Sequence, residues 1–371
     1  MRKPVKIGII SAIIATILAV TSLVFLPSYF QQKYFYDAYK PQELETQAIG
    51  SFPSEYRIEG VPWISHEKAY CHSTTLQMIA YKHGIEKPIG YYNFIMGWTY
   101  GAAYRGDLTV FGPYTDPIPS SIAAAPYLGL EMKYLTTNDP DLFINGVRFY
   151  LSKEYPVGIQ LNAAMLWDEE GFSPHSELLV GYDESGFYYF ETAKEDRFIE
   201  DAEGLKVSDQ ILIEAVSNVN EEFDRPWKFA LTIYEEGERK EDLTEIWMRN
   251  GEGLIGSKFW NMASGAPAIK EFASDIKESG EIKNLWALET LSYTRLDNAE
   301  FLEEYFAGDE EVKEAAELLR NAGECYDKAL EIAKSDIKNE GKVNEVAEWL
   351  IKGACFEEEA GKIFLSKGET H

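Results

Sequence analysis

The period of the apolar pattern changes once along this chain, near Tyr234-Glu235-Glu236-Gly237, and that change limits the folds open to it. Before it, Pro156-Val157-Gly158-Ile159-Gln160-Leu161-Asn162, His175-Ser176-Glu177-Leu178-Leu179-Val180-Gly181-Tyr182 and the run from Trp227 to Tyr234 read as strands. Asp183-Glu184-Ser185-Gly186 has the composition of a hairpin loop, so Phe187-Tyr188-Tyr189-Phe190-Glu191 should fold back on the histidine-bearing strand. Asp139-Pro140 and Ser208 are positioned to open helices between strands. Beyond Gly237 helical spacing takes over, in segments 267–278, 282–306, 309–334 and 343–365, with Gly280, Gly308 and Gly341 near the breaks. The expected fold class is α+β over about 56–236, followed by an all-α helical domain over 237–371 built as a small antiparallel bundle.

The amino terminus adds a third part. Arg2, Lys3 and Lys6 precede an apolar run from Ile7 to Leu26, and roughly twenty such residues span a bilayer as a helix. A secretory signal has an apolar core of about 7–15 residues and a small-residue cleavage site, to which Ala19-Val20-Thr21 is a weak match. Residues 1–27 are therefore expected to form an uncleaved transmembrane helix, with a cleaved signal peptide as the alternative, and 28–55 a spacer. Either places the globular part outside the cytoplasm, membrane-anchored or secreted. A net charge of -27 repels phosphate backbones, which argues against nucleic acid as a partner.

The chemistry concentrates at Tyr70-Cys71-His72-Ser73-Thr74-Thr75-Leu76, where a cysteine stands at the mouth of a short helix that ends at Gly84. The positive end of a helix favours a thiolate, the form that attacks. A small buried apolar residue also fits that position. Folding the hairpin about residues 183–186 brings His175 near positions 191–194, where the first acid is Glu191. A carboxylate there would fix the tautomer of the imidazole and stabilise its protonated form. Aromatics and glycines from Tyr91 to Tyr114 could wall a cleft or simply pack under loops. No cluster has metal-ligand spacing and no phosphate-cradling loop appears, so no metal or cofactor is expected. Cys325 and Cys355 fall in neighbouring helical segments and could form a bridge or remain separate thiols.

Val61-Pro62-Trp63-Ile64-Ser65-His66, Cys71 opening a helix that closes on Tyr81-Lys82-His83-Gly84, and His175 to Asp183 with Phe187 to Glu191 together resemble the bacteriocin-processing-like branch of the papain-fold cysteine peptidases, over about half the chain. The resemblance implies a papain-like cysteine peptidase fold, a helix carrying Cys71 packed on an antiparallel sheet. It further implies attack by Cys71 on an amide carbonyl, proton transfer by His175 and orientation of that histidine by Glu191. His66 stands where the family places an oxyanion-hole glutamine, His72 where it has glycine, and Glu191-Thr192 where it has Asp-Pro. A papain-like half joined to a helical half also resembles the butirosin-biosynthesis acyltransferase family, though an acidic domain outside the membrane would neither meet nor attract an acidic acyl carrier protein. The expected function is thus a membrane-anchored extracytoplasmic cysteine hydrolase acting on a peptide or other amide through Cys71, His175, Glu191 and His66. The alternatives are an inactive binding module on the same fold and a carrier-dependent acyltransferase.

Overall fold

The computed structural model describes residues 32–369, apart from 47–48, 107–109, 113–114, 196–197, 199–202, 260–261, 283 and 336–339. The main sheet has the strand order Gln42–Glu43, Leu130–Thr137, Phe229–Glu236, Val157–Asn162, Pro174–Asp183, Gly186–Phe190, Leu205–Val207, with Tyr56–Arg57 paired on Pro174–Asp183. Gln42–Glu43 runs parallel to its neighbour, and the other pairings are antiparallel.

The strand Pro174–Asp183 is apolar on successive positions because the sheet is covered on both faces. Leu178 and Val180 join the core that holds Leu76 and Ile79 of the helix Cys71–Lys82. Leu179 joins the opposite core, with Phe143 and Val147 of the helix Pro140–Leu151 and Leu212 and Val216 of Asp209–Glu222. Both of those helices start where their caps predict: the Asp139 carboxylate accepts from the N–H groups of Asp141 and Leu142, and the Ser208 hydroxyl from that of Ile211. Burial of each such aliphatic side chain stabilises the layer by about 1.5–3 kcal/mol.

The second half contains the helices Thr244–Ile255, Gly265–Ser279, Leu285–Tyr305, Glu310–Ser335 and Glu340–Glu369. It is not purely helical. Lys258–Phe259 and Met262–Ser264 join Ala103–Arg105 and Val110–Gly112 in a small second sheet, so strands from widely separated parts of the sequence interlock the two halves. The aromatic stretch after Gly84 is also more ordered than its composition suggests. Ile89–Met96 is a helix, Tyr92 and Phe94 are fully buried, and the Phe94 ring packs on Trp247, Phe301 and Phe306. That helix is apolar on nearly all sides and so leaves no amphipathic period to read. Where a spacer is expected, residues 32–39 are helical, and Phe35 and Tyr39 pack edge-on against Trp227 and Tyr134.

The expected fold class needs one correction. Among the described residues no helix is long and apolar enough to cross a membrane; the longest helices, Glu310–Ser335 and Glu340–Glu369, carry charged residues throughout. The transmembrane helix therefore has no counterpart in the described fold, and residues 1–27, assigned to it, lie outside the described residues. Cys325 and Cys355 are separate free thiols, the first buried and the second exposed.

Candidate active site

Cys71 is the first residue of its helix, partly exposed, with Tyr70 at the cap position. No side chain caps this end; the hydroxyls of Ser73 and Thr74 instead turn back to donate to the Tyr70 carbonyl. Main-chain N–H groups of a first turn have no partner within the helix, so they are available beside the sulfur. One turn on, the Thr75 hydroxyl lies 3.1 Å from that of Ser176 and ties the cysteine helix to the histidine strand.

Ser176 is the neighbour of His175, which hydrogen-bonds Glu191 on one side and feels the charge of the Cys71 thiol on the other. Its Nε2 lies 2.7 Å from Glu191 Oε1 and 3.0 Å from the Thr192 hydroxyl, which leaves Nδ1 for the sulfur. The Glu191 carboxylate is fully buried and well supplied with donors. Oε1 also accepts from the Ala193 N–H at 2.8 Å, and Oε2 accepts from the Trp167 indole at 3.1 Å. Its main chain is held too: the Trp63 indole donates to the Glu191 carbonyl at 2.7 Å while the Trp63 ring stacks on Phe190. Burial pushes the Glu191 carboxyl up, but the hydrogen bond and charge of His175 outweigh it and bring it below the usual carboxylate range. Burial pushes His175 down, and the surrounding acids and thiol, with their hydrogen bonds, reverse that and carry it well above the usual imidazole range.

Two of the other histidines, His66 and His72, are committed elsewhere. His66 runs beside Ala193 as an isolated bridge, and its Nε2 lies 3.0 Å from Gln77 Oε1 on the cysteine helix. Because the amide of Gln77 donates to the Lys87 carbonyl, its oxygen faces His66 and the proton sits on His66 Nε2. His72 is buried; its Nε2 lies 3.1 Å from the Gln160 amide nitrogen and its ring meets the edge of Trp98. Burial, then the charges of His175 and Arg225, hold it well below the usual imidazole range, so it is a neutral acceptor.

The helix Leu285–Tyr305 braces the approach to the cysteine. Asp297 accepts from Lys68 Nζ at 2.7 Å and from the Tyr70 hydroxyl at 2.6 Å, and the Tyr293 hydroxyl accepts from the Ala69 N–H. Trp63, Trp167, Thr192 and Gln77 are supporting residues that sequence patterns alone do not single out. So is Glu177, two residues past His175 and completely buried, with Oε1 3.5 Å from His175 Nε2. Its one mark in the sequence is an acid beside the apolar run Leu178-Leu179-Val180, two residues from the histidine and so on the same side of the strand.

No described protein family and no curated protein matches the chain. Among solved structures it is similar to a protein described as a C39-like peptidase from Bacillus anthracis, at 19% identity, with 50% of this chain and 100% of that one covered and a TM-score of 0.33. The chemistry of the site rests on its own geometry.

Proposed function

We propose that this chain is a thiol hydrolase acting on an amide bond of a peptide or related substrate. The observation that supports it best is a histidine held at 2.7 Å by a buried carboxylate, on a strand tied by Thr75 and Ser176 to the helix that Cys71 opens. In this reading His175 takes the Cys71 proton and the sulfur attacks the carbonyl carbon. The main-chain N–H of Cys71 stabilises the oxyanion. His175 then protonates the leaving amine, and water, deprotonated by the same ring, releases the acid and restores the thiol. Glu191 keeps Nδ1 of the ring turned to the sulfur throughout. His66 adds a second donor only as an imidazolium, through Nδ1, since its Nε2 proton is given to Gln77.

Alkylation by iodoacetamide tests the dyad, with peptide mapping to separate Cys71 from the exposed Cys355. Near neutral pH Cys71 should react at least about tenfold faster than Cys355, and the His175→Ala variant should lose that advantage. Equal Cys71 rates with and without His175 would sink the proposal.

A further inference from the structure

Glu177 projects to the same side of its strand as His175 and is completely buried. Among the described residues, no donor hydrogen-bonds either of its oxygens. Its carboxyl instead lies beside that of Glu191: an oxygen of each and a nitrogen of His175 fall within 4.8 Å of one another, a spacing at which two buried carboxylates repel strongly. The titratable groups acting on it are Glu191 from the chain beyond the neighbouring strand, His175 from its own strand and Cys71 from the helix. The strand on its other flank, Val157–Asn162, carries no titratable side chain. With Glu191, Glu177 and a thiolate all ionised, His175 would be the sole cation facing three anions, one of them a desolvated carboxylate with no donor.

We propose that Glu177 is a positioning residue, present as a neutral carboxylic acid that donates its proton to Glu191, so that the two carboxyls share one proton and one charge behind His175. The direction of its acidity agrees: burial first, then the Glu191 charge, push Glu177 well above the usual carboxylate range. This rests on the triad reading for its consequence but not for its chemistry. The donated hydrogen bond withdraws charge from Glu191 and limits how tightly that carboxylate holds the imidazolium. Glu177 would thereby set the pH range over which His175 changes protonation without touching the reacting atoms.

Two measurements test this on the whole chain. Infrared difference spectra between wild type and Glu177→Gln at neutral pH should contain the C=O stretch of one neutral carboxyl, distinct from the carboxylate bands; its absence overturns the proposal whether or not the protein is an enzyme. The pH profile of Cys71 alkylation separates the electrostatic alternatives. Glu177→Gln retains a donor and should leave the His175-governed limb within about 0.3 pH unit, whereas Glu177→Leu removes it and should move that limb upward by about half a unit or more. If both variants move the limb downward, Glu177 is a charged neighbour of His175 and the proposal fails. It also fails if the wild type binds one equivalent of zinc or manganese that Glu177→Gln does not, since the second carboxyl would then be serving a cation.

Discussion

Glu357 and Glu177 are both completely buried carboxyls, and donors surround only the first. In the helical half Glu357 accepts from Arg295 Nε and Nη2 at 2.8 and 2.9 Å and from the Tyr326 hydroxyl at 2.7 Å. Arg295 gives its remaining N–H groups to the carbonyls of Thr99 and Gly101 and to the Thr294 hydroxyl. Every charge there has a partner, so the cluster works as a clamp between the helical half and the segment that follows the buried Trp98. At Cys71 the supply of donors runs out after Glu191, and the second carboxyl can remain only by keeping a proton. A complete network holds structure; an incomplete one leaves a proton free to be placed, as proton-transfer chemistry requires.

Breaking the complete cluster should have the largest effect. Arg295→Leu strands a buried carboxylate and is expected to cost about 3–5 kcal/mol in urea unfolding; a loss under about 1 kcal/mol would mean that the clamp holds little. Tyr326→Phe removes one of three donors to the same carboxylate and should cost about 1.5–3 kcal/mol. At the incomplete cluster the expectation reverses. Glu177→Gln should leave the protein at least as stable as wild type in urea unfolding at neutral pH, because it keeps a donor for Glu191 and need not hold a proton that the unfolded chain gives up.

The pH dependence sharpens the contrast. A carboxyl raised by folding contributes stability that is fully present below its unfolded value and is lost as pH rises through the folded one. The stability of wild type relative to Glu177→Gln should therefore fall as pH rises above about 4.3. A constant difference from pH 4 to 8 would show that folding does not shift Glu177. The raised imidazole of His175 runs in the same direction, which is why the comparison between the two proteins, and not the raw profile, isolates Glu177.

The nearness of His175 to Glu191 could be read in advance to within a few positions, because the hairpin loop lays the two strands side by side although a bulge between Leu179 and Gly181 shifts their register, and the helix starts at Asp139 and Ser208 because caps are local chemistry. The second sheet could not, since Met262–Ser264 pairs with Ala103–Arg105, far away in sequence, and strands this short carry no period of their own. Nor could the strand Leu130–Thr137, most of whose residues are buried and which shows no clean alternation. Glu177 was hidden by its context: a carboxylate beside leucines reads as the polar face of a strand until both faces are known to be covered. The commitments of His66 to Gln77 and of His72 to Gln160 depend on packing between elements, which spacing does not encode.

Asp297 and Tyr293, on a helix in the second half, hold Lys68, Ala69 and Tyr70 immediately ahead of Cys71. The sheet-bearing half is therefore not a portable unit. A chain cut after Glu236 would leave the buried Tyr70 hydroxyl without its acceptor and the Thr99 and Gly101 carbonyls without Arg295, on both sides of the nucleophile's helix. Transplanting the sheet half into another protein would carry over His175 and Glu191 intact but not the lead-in that aims the cysteine. A change at Asp297, far off in the second half, is thus felt one residue away from Cys71.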